Sequence, residues 1–272
     1  MEPGLIVAPR RWRIVCWRRF ASLTAVLLIG ASATALGQEE TPAVVVYRPS
    51  VATPTDLPAP GWPQLEAGWS DAKGGELARS ESVPVAFRLA WSDAWGLVIS
   101  TDAYDWQRDL EESTAHSGGD TMLELKYRRP IDDSLSLGAE FGVALPTARP
   151  PIGTGKADWG GIAIVSFDSK IAHVDVNLGG TRLGAVDEGQ GHWQGNWAVA
   201  ASRPLPPGFT LTGELSGIAQ RGTSAQTQAL AGFDYSITRQ VALDMAVVAG
   251  LSRSAPNWQI TAGVTVQLGH WF

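Results

Sequence analysis

Four histidines, His116, His173, His192 and His270, are the imidazoles this 272-residue chain could bring to proton transfer. A hydrolytic site asks such a ring to serve a Ser or a water while an acid orients it. Spacing alone sets none of the four beside both partners. His116 lies in the acidic stretch DLEESTAHSGGD, His192 at a loop edge, His173 on the polar side of an alternating run, and His270 close to the last residue. A site assembled across strands is the remaining route, so a lipid hydrolase is kept as the less favoured alternative. GTGKA (153–157) looks like a phosphate loop and fails as one. Pro150 stands where the first Gly is required and Ala157 where Ser or Thr should follow. The acidic run 109–120 has oxygen ligands of the kind calcium takes, but reads better as a solvated loop. No metal, cofactor or catalytic residue is expected.

A second set of chemically active residues is spread along the chain with a strict rhythm. Glu66, Arg88, Asp102, Glu124, Lys126, Glu140, Asp175, Glu214, Asp234 and Asp244 each stand among residues that alternate apolar and polar. In TMLELKYRR, Leu123, Leu125 and Tyr127 take one parity and Glu124 and Lys126 the other. In QVALDMAVVAG, Val241, Leu243, Met245 and Val247 oppose Asp244. Period two is the mark of a strand with two unlike faces. About twelve such runs follow Trp62, joined by connections that are short at one end (92–95, 130–133, 167–170, 204–208, 237–240). Most of the loop sequence falls at the other end (73–82, 105–119, 147–158, 182–191).

Alternating strands build either a soluble sandwich or a membrane barrel, and the aromatic residues discriminate. Trp91, Trp95, Tyr127, Phe209, Tyr235 and Phe272 share the apolar parity near the short connections, and Trp69, Trp193 and Trp258 share it near the other end. Two girdles of amphipathic rings around an aliphatic band are the interface pattern of an outer-membrane barrel. Outward Trp in such numbers would make a soluble domain aggregate. The expected fold is therefore a single all-β antiparallel transmembrane barrel of about twelve strands in the bacterial outer membrane. An even strand count puts both termini on the periplasmic, short-turn side. The ten charged residues then line the lumen as the path of an ion or substrate. Eight acids against two bases make the field inside negative, and carboxylate rings favour cations.

Composition agrees. Charged residues are 18 %, and Trp numbers 12. The basic stretch RRWRIVCWRRF, an apolar run and ALG before QEE form a secretory signal, assigned to 1–37. Its removal leaves 16 basic and 26 acidic residues and discards Cys16, the sole cysteine. The exported chain then has no disulfide, thiol nucleophile or zinc–thiolate site. Its acidity gives nucleic acid no purchase. Residues 38–60 are rich in Pro, Thr and Ala and read as a lead-in that plugs the periplasmic mouth, with Arg48 placed to meet lumen acids; the barrel occupies 61–272.

The stretch YRPSVATPTDLPAPGWPQLEAGWS (47–70) resembles the opening of the meta-pathway phenol-degradation family of outer-membrane proteins. The matching positions are Arg48, Pro49, Ser50, Gly61, Gln64, Leu65, Glu66 and Gly68. LPTARPPIGTGKADWG (145–160) is similar to a loop of the same group and departs from it at Ala148, where the family has Gly. The resemblance implies an outer-membrane transporter that passes small aromatic or hydrophobic compounds by diffusion. A structural barrel without a pore is the alternative. Implied partners are outer-membrane lipid, a small-molecule substrate and the barrel-assembly machinery, for which the terminal Phe272 would be the signal.

Overall fold

Alternating side chains cannot settle in a bilayer unless every backbone N–H and C=O is paired within the protein, and only a closed sheet does this for strands. The computed structural model describes residues 41–272, and the expected signal segment lies outside the described residues. The strands are β1 (Gln64–Gly74), β2 (Leu77–Ala90), β3 (Trp95–Arg108), β4 (Thr114–Ser117), β5 (Thr121–Pro130), β6 (Leu135–Leu145) and β7 (Asp158–Asp168). They continue as β8 (His173–Arg182), β9 (Trp193–Leu205), β10 (Phe209–Gln220), β11 (Gln226–Ser236), β12 (Val241–Gly250) and β13 (Trp258–Gln267). Each wall strand pairs antiparallel with its neighbours. β1 closes on β13, with Leu65 opposite Val266 and Gly68 opposite Gly263. Twelve strands make the wall. The thirteenth, β4, pairs only with the far end of β3, from Asp105–Ser117 to Arg108–Thr114.

The expected open loops at 73–82 and 105–119 are therefore mostly strand. β1 and β2 meet through a tight turn at Gly74 and Gly75, both at positive φ, and β3 and β4 carry a hairpin above the rim. A bulge sits beside Pro84, where the β2–β3 register steps from Val83–Tyr104 to Pro84–Asp102. Pro has no N–H to give the ladder, so an irregularity there costs the sheet least.

The faces are inverted relative to a soluble domain. Leu178, Phe141, Val247, Leu211 and Leu215 stand exposed on the outer wall. An apolar band encircling the molecule far exceeds the roughly 300–600 Å² patch a soluble monomer tolerates, and lipid is the solvent that suits it. Trp95 packs on Tyr127 (centroids 4.7 Å apart) and Phe209 on Tyr235 (4.5 Å) in the lower girdle, and Trp159 meets Trp193 edge-on (5.5 Å) in the upper. The buried side chains are instead largely polar or small: Lys126, Gln64, Thr265, Glu66, Asp244 and several alanines.

At the C-terminus the strict alternation fails. β13 ends at Gln267. The Leu268 N–H then donates to Pro63 O and the Trp271 N–H to Gly61 O, each at 2.8 Å. Three residues advance on one side against two on the other. This slip places Trp271, which parity alone would turn inward, against Phe87 of β2 (5.8 Å). Phe272 is exposed beyond it. The parity that runs from Ile260 to Leu268 therefore does not carry unbroken to the last residue.

The lipid band makes a direct prediction. Leu178→Arg, near mid-barrel on the outer face, should lower unfolding stability in lipid vesicles by about 2–4 kcal/mol. Thr212→Lys, facing the acidic interior, should cost much less. Denaturant titration of the vesicle-inserted barrel measures both.

Candidate functional site: the lumen and its inner segment

Inward carboxylates in a narrow bore are poorly hydrated and must find donors or protons. The described part of the lead-in, residues 41–60, supplies many of those donors. It rises from the periplasmic end, where the Val44 N–H bonds Arg239 O (2.8 Å) and Pro42 O accepts from Gln267 Nε2 (2.7 Å). With its amide turned to suit, Gln64 donates to Val45 O (3.0 Å) and accepts the Val45 N–H (2.9 Å).

Arg48 is the first anchor. Its Nε lies 3.3 Å from the Asp244 carboxylate, and its Nη2 donates to Thr261 Oγ1 at 2.6 Å and to Ala262 O at 3.3 Å. The guanidinium lies flat on bare wall. A Cβ on Gly68 would come within 2.5 Å of Arg48 Cζ, and one on Gly263 within 2.6 Å of Arg48 Nε. These two glycines face one another across β1 and β13. Gly68 and Gly263 thus have a steric reason: they make room for Arg48.

Glu214 on β10 is the second anchor. One carboxylate oxygen accepts from Ser50 Oγ (2.5 Å) and from the N–H groups of Val51 (2.8 Å) and Ala52 (3.0 Å). The segment then crosses the bore. Asn177 on β8 takes the Thr53 N–H at 2.7 Å and donates to Thr53 O at 2.9 Å, while Ser166 on β7 accepts the Thr55 N–H at 2.8 Å. Ala52 packs on Ala198 and Ala200 of β9.

Lys126 and Arg128 on β5 hold the far side. Lys126 Nζ reaches Glu140 (2.9 Å), Thr53 Oγ1 (2.9 Å) and Pro54 O (2.6 Å). Arg128 pairs with Asp56 (3.1 Å). Tyr47 folds back to donate to Asp56 O (2.8 Å) and offers its ring face to Arg88 (4.0 Å) and Lys126 (4.8 Å). Arg88 itself pairs with Glu66. Its hydrogen bonds and ion pairs reach β5, β6, β7, β8, β10, β12 and β13, so the segment is tied at points around the bore.

All ten lumen residues named from the sequence turn inward, but they do not form one acidic surface. Glu66, Glu140 and Asp244 are held by Arg88, Lys126 and Arg48; Glu214 is held by the segment's N–H groups. Asp175 accepts from Ser166 Oγ at 2.5 Å and faces His173 Nε2 at 3.1 Å. Asp234 lines a cavity of about 360 Å³ on the periplasmic side of the segment, together with Asp175 and His173. Glu124 and Asp102 face cavities above the segment. Among contributors outside those ten are Arg128 and Tyr47, beside the neutral Ser166, Asn177, Thr261 and Gln267. Arg128 shares the parity of Glu124 and Lys126 and was legible on that ground. Tyr47 carried no periodic signal.

The histidines separate cleanly. His173 places Nδ1 2.7 Å from Asp168 and Nε2 3.1 Å from Asp175. Both nitrogens face carboxylates, so neither addresses the Ser166 hydroxyl as a base would. His270 stacks on Trp62 (5.2 Å), and His192 Nδ1 lies 2.8 Å from Leu183 O. Among the described residues, no three His, Cys, Asp or Glu side chains converge to hold a metal. The loop acid Asp132 has its carboxyl below the usual range because the Ser134 N–H, the Ser134 hydroxyl and the Leu135 N–H all donate to it, which is turn chemistry.

No family model matches the chain, and no curated protein matches it. Solved structures do. An outer membrane channel from Pseudomonas putida F1 superposes with a TM-score of 0.62 at 12 % identity, covering 79 % of this chain and 98 % of that one. The KdgM porin in complex with disordered oligogalacturonate gives 0.55 at 10 % identity (76 % and 99 % covered), and the NanC porin gives 0.53 at 11 % (76 % and 100 %). The chain has the barrel fold of these outer-membrane channels and porins.

Anchoring by Arg48 makes a prediction of its own. Arg48→Gln and Asp244→Asn should each loosen the segment, read as faster protease nicking within 41–60. In the double variant the effects should fall short of additive by about 0.5–3 kcal/mol, the range for groups in one network. Strictly additive effects would mean the pair holds nothing.

Proposed function

We propose that this barrel is a diffusion channel for small aromatic or hydrophobic compounds, obstructed by its own 41–60 segment until that segment shifts. The observation that carries the reading is the construction of the plug. It is tied by hydrogen bonds and ion pairs to β5, β6, β7, β8, β10, β12 and β13, with an apolar contact to β9, and cavities lie on either side of it. Polar contacts exchange readily with water once a path opens, whereas a greasy core would not. The likeness of 47–70 to the phenol-degradation family supports the aromatic substrate class, as do cavity walls that mix apolar side chains with carboxylates.

Ionic passage should favour cations. Arg48, Arg88 and Lys126 are committed to partners, while Glu124 and Asp102 face the upper cavities. A negative, low-dielectric mouth concentrates positive ions. Deleting 41–58 should raise single-channel conductance several-fold and keep cation preference in reversal potentials. Conductance unchanged by the deletion would favour the alternative of a structural barrel with no pore; anion preference would remove the electrostatic part.

Phe272 belongs to a separate step. As an exposed aromatic end, it is proposed as the signal read by the assembly machinery. Deleting it should cut membrane insertion in cells by roughly tenfold while refolding in detergent stays near wild type. Equal insertion of the two chains would place the signal elsewhere.

A further inference from the structure

Glu124 is the exception among the lumen charges. Its neighbours in the bore are committed: Glu140 to Lys126 and Thr53, and Asp158 to the Gly184 N–H at 2.7 Å. Glu124 makes no hydrogen bond or ion pair to any described residue. Its stem crosses Gly142, directly opposite on β6, where a Cβ would come within 2.7 Å of Glu124 Cγ. The missing side chain on β6 lets the carboxylate project into a cavity of about 260 Å³ just above the plug.

The cavity has two chemistries. Val51 at the crest of the plug, Met122, Ala144 and Ile162 give it apolar wall, and Glu124 and Glu140 stand at one side. Asn196 on another side has a buried Oδ1 with no partner. The unpaired Glu124 carboxylate and the unpartnered Asn196 Oδ1 suit a ligand that brings N–H groups and a positive charge. A metal ion does not fit, because no three ligating side chains converge. The volume is near the lower end for small-molecule pockets, roughly 300 Å³, so the ligand has about the size of one substituted aromatic ring.

We infer that this cavity is a binding site for a small organic cation, an ammonium group on an aromatic or aliphatic body. Glu124 receives the ammonium, Asn196 Oδ1 can accept a second N–H, and Val51, Met122 and Ile162 cover the apolar part. Val51 belongs to the plug, and its own N–H is held by Glu214. A ligand resting there touches the obstruction directly. The inference deepens the channel reading by naming a substrate class, and it rests on that reading only for transport, not for binding.

The test is therefore a binding measurement on the full mature barrel in detergent. Benzylammonium and its neutral counterpart benzyl alcohol are titrated by calorimetry or ligand-observed NMR. Wild type should bind benzylammonium at least tenfold more tightly than benzyl alcohol. Glu124→Gln should bring the ratio to about one. Met122→Trp, which fills the cavity, should abolish binding of both. Heat-modified gel mobility establishes that each variant is a folded barrel. Equal binding of the two probes by wild type, or a preference that survives Glu124→Gln, would overturn the assignment. Binding as expected without any conductance change on plug deletion would instead sink the channel reading and leave this site standing.

Discussion

The inward carboxylates of this barrel are the constraint on which the rest depends. Twelve strands enclose a bore too narrow for bulk water to hydrate every charge, and an unpaired buried carboxylate is costly. The chain meets that demand with the residues immediately before its first strand. Arg48 for Asp244, three donors from residues 50–52 for Glu214, and the Thr53 backbone for Asn177 turn a set of destabilising groups into a socket. The wall is shaped for it too, since the Gly68–Gly263 pair leaves room for the guanidinium. Wall and segment are complementary in charge and in shape, and the obstruction of the lumen follows from the same contacts that stabilise it.

The outer and inner faces obey different rules for the same physical reason. Outside, lipid accepts any apolar side chain of adequate size, so identity is loose and parity is strict. Inside, each polar atom needs a particular partner, so identity is strict. This is why alternation revealed strands, closure and inward residues, while the partner of each charge stayed hidden: pairing runs between residues such as Ser50 and Glu214, 164 positions apart. A negative lumen was legible as a sum over Glu66, Glu140, Glu214 and Asp244. It was not legible that Glu66, Glu140 and Glu214 are spent on Arg88, Lys126 and the inner segment; a lumen acid for Arg48 was expected, but not that it is Asp244. The register slip at Leu268–Trp271 was also beyond reach, because period-two reasoning assumes an unbroken ladder. The hairpin of β3 and β4 was read as loop because its residues are polar on both faces above the membrane, where no apolar face is required.

What distinguishes this lumen from a simple water-filled bore is its division into two compartments. Below the segment the cavity is polar and bordered by His173, Asp175 and Asp234. Above it the cavities mix apolar wall with carboxylates.

The claim that matters most is that the docked segment blocks passage. Cys16 is the sole cysteine and lies in the segment assigned as signal, so a cysteine pair introduced at Ala52 and Ala200, which pack together, would be the one available crosslink in the exported chain. Planar-bilayer conductance of that variant, recorded oxidised and then after reduction on the same channel, tests the claim most directly. The account predicts a small, steady conductance when crosslinked and openings several-fold larger after reduction. The same conductance in both states would contradict it.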